Sequence, residues 1–493
     1  MELLTAKMTN PKKRPVKVVQ FGEGNFLRAF VEYQIDIANE KGLFDGSVVL
    51  IKPVKFGNLD QFKKQDCQYT VLLRGRVNGE KYVEKRVITS VSDAVSPFDD
   101  YDAYIKLAEE PELRFVVSNT TEAGIVYNGE DKFEEKLEIT FPAKLTQFLL
   151  HRYTWCNGDP NKALVMLPVE LIDDNGMHLK ECVNKYIDLW NLDAGFKKWV
   201  NEDCTFTQTL VDRIVTGYIR DPQEKQEIFE KELGYEDQLL DVAEPFALWV
   251  IESDKDISKE FPMDKALADK VGMDCIFTTD HHPYKQRKVR ILNGAHTSFV
   301  LAGWLCGFDI VRDCMNNDLV RSFMDKTLHE EVIPTLTLPK ADLEEFTNAV
   351  VDRFNNPFIA HSLLAISLNS VSKWRARCMP SLLGYVDKFG KLPTNLTFSI
   401  AALIAFYNGD TIVEGKLKGN RNGQEYDIVD DAAVLEFFAA NSKLPAAELV
   451  HKYLSNVDFH GQDLTKVPGL EEAVTKDLEA IREKGCKAAM ENL

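Results

Sequence analysis

The chain contains no Cys-x-x-Cys pair, no His-Glu-x-x-His and no cysteine–histidine cluster at zinc-ligand spacing. Zinc sites of the usual kinds need three or four such ligands, so no metal is expected. The nine cysteines are scattered, several in apolar surroundings such as Cys306 in LAGWLCGF. They read as buried free thiols of a reducing cytoplasm. His281 and His282 are adjacent, which suits a loop better than a helical ligand pair. No run of 18 or more apolar residues occurs, so no membrane span is expected. The opening stretch, MELLTAKMTNPKKRPVKVVQFG, lacks the apolar core and small-residue cleavage site of a secretory signal. Lys12, Lys13 and Arg14 read as a solvated arm before the first strand. Positive charge is the scarcer kind, 59 basic against 77 acidic residues for a net charge of −18. That argues against nucleic acid or an anionic membrane as the main partner, while leaving room for a local basic pocket. Neither an internal repeat nor a low-complexity segment is present.

What is present is an ordinary globular composition, 45% hydrophobic and 28% charged over 493 residues. That length carries two or three domains with large cores. VKVVQFG (16–22) reads as a buried parallel strand, and EGNFLRAFVEYQIDIANEKG as a helix with a glycine stop. SVVLIKPV is a second strand. YTVLLRGRVNGEKYVEKRVITSVSD reads as an inserted hairpin around Asn78-Gly79. DAYIKLAEEP and residues 139–154 read as helices, RFVVSNTT and KALVMLPVEL as strands. This alternation predicts an α/β, Rossmann-type doubly wound domain over residues 1–284. From 285 to 493 helical patterns dominate: 288–307, 317–332, 340–354, 357–373, 396–408, 430–440, 445–455 and 468–491. Strand signals there are few, mainly EGKLKGNRNGQEYDI. A mostly α-helical second domain is therefore expected.

Phe21-Gly22-Glu23-Gly24-Asn25-Phe26-Leu27-Arg28-Ala29 lies between the first strand and the first helix. Gly22 allows a tight turn, and Gly24 lets the backbone approach a pyrophosphate at the positive end of the helix. The third glycine of G-x-G-x-x-G is replaced by Leu27, so the fingerprint is incomplete. The candidate nucleotide site comprises Val18, Val19, Gln20, Phe21, Gly22, Glu23, Gly24, Asn25, Phe26, Leu27, Arg28 and Ala29. An acidic residue at the end of the second strand would hold the ribose of NAD. Here that strand ends with Lys52 and Lys55, and Asp60 is a late substitute. Two lysines there lean towards the 2′-phosphate of NADP, so both cofactors stay open.

KVRILNGAHTSFVLAGWL reads Lys288-x4-Asn293-x2-His296. On a helix at about 100° per residue the three side chains fall within an arc of roughly 140°. The lysine can move a proton if burial lowers its pKa. The amide can donate to an oxyanion, and the imidazole can donate or accept beside it. The same offsets also arise by chance on helices that do no chemistry.

These segments carry a resemblance. The Gly22–Ala29 turn, Leu210-Val211-Asp212-Arg213-Ile214 and Lys288-x4-Asn293-x2-His296 resemble, in that order, three motifs of the mannitol dehydrogenase family of polyol-type long-chain dehydrogenases. The stretches SNTTEAGI (118–125), PVELIDDNG (168–176) and TLVDRIVTGYIRD (209–221) look like its hexuronate-acting branch. The resemblance implies a Rossmann domain followed by a helical one, NAD as cofactor and no metal. It implies hydride transfer interconverting D-tagaturonate and D-altronate, with Lys288 as acid/base and Asn293 and His296 at the reacting oxygen. A sister activity on fructuronate or mannitol stays open, as does a nucleotide-binding sensor without turnover.

The chain departs from the family pattern at two places. Leu171 stands where polyol enzymes carry a second oxyanion-hole asparagine, and Lys285 where they carry a glutamate. Asp212 is expected at substrate hydroxyls, or else in a structural pair with Arg213. Lys285 and, in SVSKWRARCMPS, Lys373, Arg375 and Arg377 are candidates for a substrate carboxylate, and Arg375 is preferred for its bidentate fork. A solvated basic face is the alternative. The expected partner is a small sugar acid bound by a cytoplasmic monomer or small homo-oligomer.

Overall fold

Short valine-rich strands need cover on both faces, and a parallel sheet with helices on each side provides it. The computed structural model describes residues 1–137 and 139–493. It divides into two compact units, residues 1–77 with 81–281 and residues 282–493 with 78–80. The first unit opens with β1 (Val16–Phe21) and helix α1, which runs as Asn25–Leu27, a π turn Arg28–Glu32 and Tyr33–Glu40. Then come β2 (Ser47–Ile51), β3 (Tyr69–Val77), β4 (Glu80–Ile88), β5 (Val91–Val95), β6 (Phe115–Ser118), α2 (Phe141–Trp155), β7 (Val165–Pro168), α3 (Asn175–Leu189) and β8 (Thr205–Phe206).

The main sheet has six strands in the order β5-β2-β1-β6-β7-β8, all parallel. Strand order reverses between β1 and β6, the place where a doubly wound sheet opens a crevice at its carboxyl edge. Val19 and Phe21 on one face pack with Phe148 and Leu149 of α2 and Leu179 and Val183 of α3. Val18 on the other face belongs with Phe30, Val31 and Ile35 of α1 and with Trp249. Each fully buried side chain of this size contributes about 1.5–3 kcal/mol. The sheet edge that carries Gly22 is therefore rigidly held.

The inserted hairpin is present as β3–β4, turning through Asn78 and Gly79 at φ 52° and 79°. Two left-handed residues match the right-handed twist of the strands they join. The end of the expected hairpin segment belongs elsewhere, because Val91–Val95 is the β5 edge of the main sheet. Strands β9 (Gln208–Asp212), β10 (Val215–Gly217), β11 (Asp241–Ala243), β12 (Ala247–Glu252) and β13 (Met273–Thr278) complete the unit. They build two smaller sheets, β10-β11-β3-β4 and β13-β12-β9.

In the second unit one continuous helical stretch runs as His282–Arg287, a π turn Lys288–Asn293 and α4 (Gly294–Leu305). It is followed by α5 (Lys340–Phe354), α6 (Ser370–Arg377), α7 (Met379–Phe389), α8 (Thr394–Phe406) and α9 (Leu470–Lys484). Ten of the twelve residues of α4 are buried, so it is a central helix with hardly any solvent face. The helix expected over 357–373 is not continuous. Leu363–Ile366 forms one turn, Asn369 takes a left-handed φ of 54°, and α6 restarts at Ser370. Residues 412–428 form a three-stranded meander with a turn at Asn422-Gly423. Among the described residues no helix is long and apolar enough to cross a membrane.

Candidate active site

The nucleotide turn lies at the carboxyl edge of β1. Gly22 has φ +126°, and a Cβ there would sit 2.8 Å from Leu27 Cδ1 and 3.0 Å from the Asn119 carbonyl oxygen. Leu27, which replaces the third glycine, is buried and fills that space. Gly24 is the N-cap of α1, makes no side-chain cap bond, and has nothing within 4 Å of an added Cβ. The first-turn N–H groups of α1 lack intrahelical acceptors and face this open side, so the turn fits an anionic pyrophosphate.

The candidate set 18–29 divides accordingly. Gly24 and Asn25 are exposed, and Glu23 and Phe26 half-buried. Val18, Val19, Phe21, Leu27 and Ala29 point into the core. Gln20 is buried and donates to the Gly22 carbonyl at 2.9 Å, bracing the turn. Arg28 is buried, donates to the Leu239 carbonyl at 2.6 Å and lies over the Tyr69 ring. Its guanidinium serves the core. Past β2, Lys52 is buried and donates to the Val54 carbonyl. Lys55 and Asp60 are exposed.

The π turn changes the geometry of the lysine motif. Gly294 N–H donates to the Val289 carbonyl, an i→i+5 bond. Such a turn is wider than an α turn, so Asn293 comes round close to one full turn from Lys288. The two side chains thus lie nearer one face than α spacing gives, and His296 follows on the next turn. Lys285, Lys288 and Asn293 are all half-buried. Gly294 permits this packing, because the Arg377 carbonyl oxygen lies 3.4 Å from where its Cβ would be.

His296 is enclosed by elements far from it in sequence. Phe354 at the end of α5 stacks on the imidazole at 4.0 Å between centroids, and His361 meets it edge-on at 5.4 Å. Its Nε2 is buried and has no hydrogen-bond partner among the described residues. Burial, and then the charges of His361, Arg353, Arg377 and Lys373, hold its pKa well below the usual histidine range. A neutral ring with a buried unpaired nitrogen can form one strong hydrogen bond to an oxygen delivered from outside.

Lys373 and Arg375 separate on α6. Lys373 is half-buried on the side of His296, whereas Arg375 is exposed and reaches the Asp458 carbonyl at 3.5 Å beside Gly461. Residues two apart on a helix point about 200° apart, and the buried Trp374 fixes which side each takes. Arg377, four residues after Lys373, shares its face and lies 3.4 Å from Thr297 Oγ1. Arg377 is among the basic residues that the sequence offers for a carboxylate, whereas Phe354 and His361, which lie against His296, carry no signal in the sequence.

In the first unit Asp212 ends β9 and is buried. Arg213 donates to the carbonyls of Glu244 and Ala29 and lies over Tyr33, clamping α1 to the small sheet. Leu171 is 64% exposed at the end of β7, so it offers neither a donor nor a core contact. Glu170 beside it accepts from Ser118 Oγ and from Thr120 N and Oγ1, tying the β6 and β7 ends together. Asn175 Nδ2 donates to the Pro168, Glu170 and Thr209 carbonyls, which makes this amide a loop brace.

Comparison with known proteins agrees with this architecture. The Mannitol dehydrogenase Rossmann domain matches residues 16–265, and the Mannitol dehydrogenase C-terminal domain matches residues 280–482. The chain is 43% identical to an altronate oxidoreductase of Enterobacter sp. (strain 638), with 97% of each chain covered. It is 42% identical to that of Pectobacterium atrosepticum, covering 100% of this chain and 99% of the relative. Among solved structures, a substrate-free D-sorbitol dehydrogenase shares the fold with a TM-score of 0.77 at 22% identity, over 99% of this chain and 100% of the other. Pseudomonas fluorescens mannitol 2-dehydrogenase, in a ternary complex with NAD and D-mannitol, gives 0.64 at 22% identity over 100% and 99%. With a glycine turn at the switch point of a doubly wound sheet, a lysine–asparagine–histidine helix in the second unit and both family domains matched in order, the chain belongs to the mannitol dehydrogenase family.

Proposed function

We propose that this protein is an NAD-dependent oxidoreductase that interconverts D-tagaturonate and D-altronate. The observation that carries the reading is the π turn that brings Lys288 and Asn293 towards one face, followed by the buried, unpaired Nε2 of His296. The full-length relatives named altronate oxidoreductase support the substrate pair. Residues 22–26 would hold the pyrophosphate. The commitment of Lys52 to the Val54 carbonyl removes one of the two cations that favoured a 2′-phosphate, which supports NAD.

The nicotinamide, when bound, supplies the hydride to the carbonyl carbon and takes it back in reverse. In the reducing direction Lys288 gives a proton to the oxygen as it becomes an alkoxide. In the oxidising direction the neutral lysine takes the hydroxyl proton. Asn293 donates to the oxygen as its charge grows, and such a preorganised donor acts most strongly in the transition state. His296, held neutral, bonds that oxygen or a neighbouring hydroxyl through Nε2. General acid–base help of this kind contributes roughly 100- to 10,000-fold.

A panel of D-tagaturonate, D-fructuronate and D-fructose with NADH and NADPH tests the reading. Turnover should be fastest with tagaturonate and NADH. Lys288→Ala should lower kcat by about two orders of magnitude or more while NADH binding, followed by fluorescence, stays near wild type. Faster fructuronate turnover would assign the sister activity, and no turnover of any substrate would leave a nucleotide-binding protein.

A further inference from the structure

Arg377 and Lys373 lie one helical turn apart on α6, on the side that faces the catalytic helix. Arg377 Nη1 is 3.4 Å from Thr297 Oγ1, and that hydroxyl donates to the Asn293 carbonyl at 2.9 Å. The guanidinium is thus one side chain removed from the residues at the reacting oxygen. Lys373 Nζ donates to the Ile366 carbonyl at 3.0 Å. Both cations are half-buried, and among the described residues neither has a carboxylate within ion-pair distance. The acidic group that Lys373 does feel is Asp430, which is already bound by the Tyr407 hydroxyl and the Val371 N–H. Arg353 adds positive potential around His296. Among the described residues Arg377 and Lys373 are held only by a hydroxyl and a carbonyl, which leaves their charge uncompensated, and an anion that joined them would offset the cost of their partial burial.

We propose that Arg377, with Lys373 beside it, holds the carboxylate of the substrate and makes the enzyme selective for sugar acids over neutral ketoses. This rests on the uronate reading above and replaces Arg375, whose side chain points to Gly461. An arginine fork can take both carboxylate oxygens, which fixes the far end of a six-carbon chain while its carbonyl meets Lys288 and Asn293. Burial lowers the pKa of both Arg377 and Lys373, in keeping with a water-poor subsite waiting for negative charge.

The test compares kcat/KM for D-tagaturonate and for D-fructose in the wild type and in Arg377→Gln, Arg377→Lys and Arg375→Gln, with NADH binding measured in each. Arg377→Gln should lower kcat/KM for tagaturonate about a hundredfold, mainly through KM, and by a much larger factor than it lowers the small fructose rate, while NADH affinity stays near wild type. Arg377→Lys should recover part of the loss, because the charge stays and the fork goes. In Arg377→Gly, added guanidinium should restore tagaturonate turnover more than fructose turnover. A uronate-selective wild type whose selectivity survives Arg377→Gln, or falls as far in Arg375→Gln, overturns this subsite alone. A wild type that reduces fructose as well as tagaturonate overturns the uronate reading and the subsite together.

Discussion

The imidazole of His296 lies face to face with the phenyl ring of Phe354, 4.0 Å between centroids and 19° from parallel. His296 comes from α4 and Phe354 from the end of α5, so tertiary packing, not local sequence, shifts the titration of the ring. The stack removes water from one face of the imidazole, and desolvation is the largest cause of its lowered pKa. Burial and the neighbouring cations therefore favour the neutral form of His296.

That neutrality is measurable. In the wild type the pH profile of kcat should show no inflection from His296 between pH 5.5 and 8. Phe354→Ala opens the stack to water and should raise the histidine towards the usual value of about 6.5. A new loss of activity on the acid side, near pH 6, should then appear, because protonation removes the acceptor from the ring. Removing a buried phenylalanine also costs about 3–5 kcal/mol, so a Phe354→Leu variant serves as the milder probe. NMR titration of the His296 ring in both variants checks the assignment. An unchanged ring titration in Phe354→Ala would mean that the surrounding cations alone hold the pKa down.

The two glycines of the nucleotide turn should fail in different ways. Gly22→Ala forces a side chain onto a backbone at φ +126° and within 3.0 Å of the Asn119 carbonyl, a contact that cannot swing aside. It should lower both thermal stability and NADH affinity. At Gly24 the space is open, so Gly24→Val should leave Tm within a degree or two. Its branched side chain would nevertheless stand where the pyrophosphate meets the helix N-terminus, and NADH affinity should drop at least tenfold. Calorimetry of the unfolding transition and fluorescence titration with NADH separate the two outcomes. Normal affinity in Gly24→Val would move the nucleotide away from this turn.

Legibility followed contiguity. Lys288, Asn293 and His296 share one helix, and Gly22 and Gly24 share one turn, so their spacing alone exposes them. The π turn was hidden, because an i→i+5 bond arises from packing demands and leaves no residue signature in KVRILN. Phe354 and His361 reach His296 only through tertiary folding. Helical periodicity, with Trp374 anchored in the core, puts residues 373 and 377 on one side of α6 and 375 on the other, so this much of the arrangement is legible in the sequence. Strand β5 was absorbed into the hairpin because a gap of only two residues separates it from β4.

Two buried carboxyls in the first unit make stability depend on pH. Glu32 on α1 is fully buried and accepts from Gln20 Nε2 and the Tyr69 hydroxyl. Asp241 on β11 is also fully buried, with Arg28 Nη2 3.9 Å away as its nearest ion partner. Burial is the main cause that pushes each up to about 7, from ordinary values of 4.5 and 3.8. The folded protein thus keeps protons that the unfolded chain has already released. Stability from these groups is complete below about pH 4 and is lost as pH rises through 7. For Glu32 the shift corresponds to a contribution on the order of 3 kcal/mol that disappears between acid and alkaline conditions. Urea unfolding should therefore show a lower midpoint at pH 8.5 than at pH 5.5. Glu32→Gln removes the titration and keeps a polar group of the same shape, and its amide can bond the otherwise unpaired Gln20 Oε1. The variant should unfold with a visibly shallower dependence on pH, losing less stability than the wild type over the same interval. An equal slope in both proteins would show that Glu32 is ionised in the folded state and that the pH dependence, if any, comes from other groups.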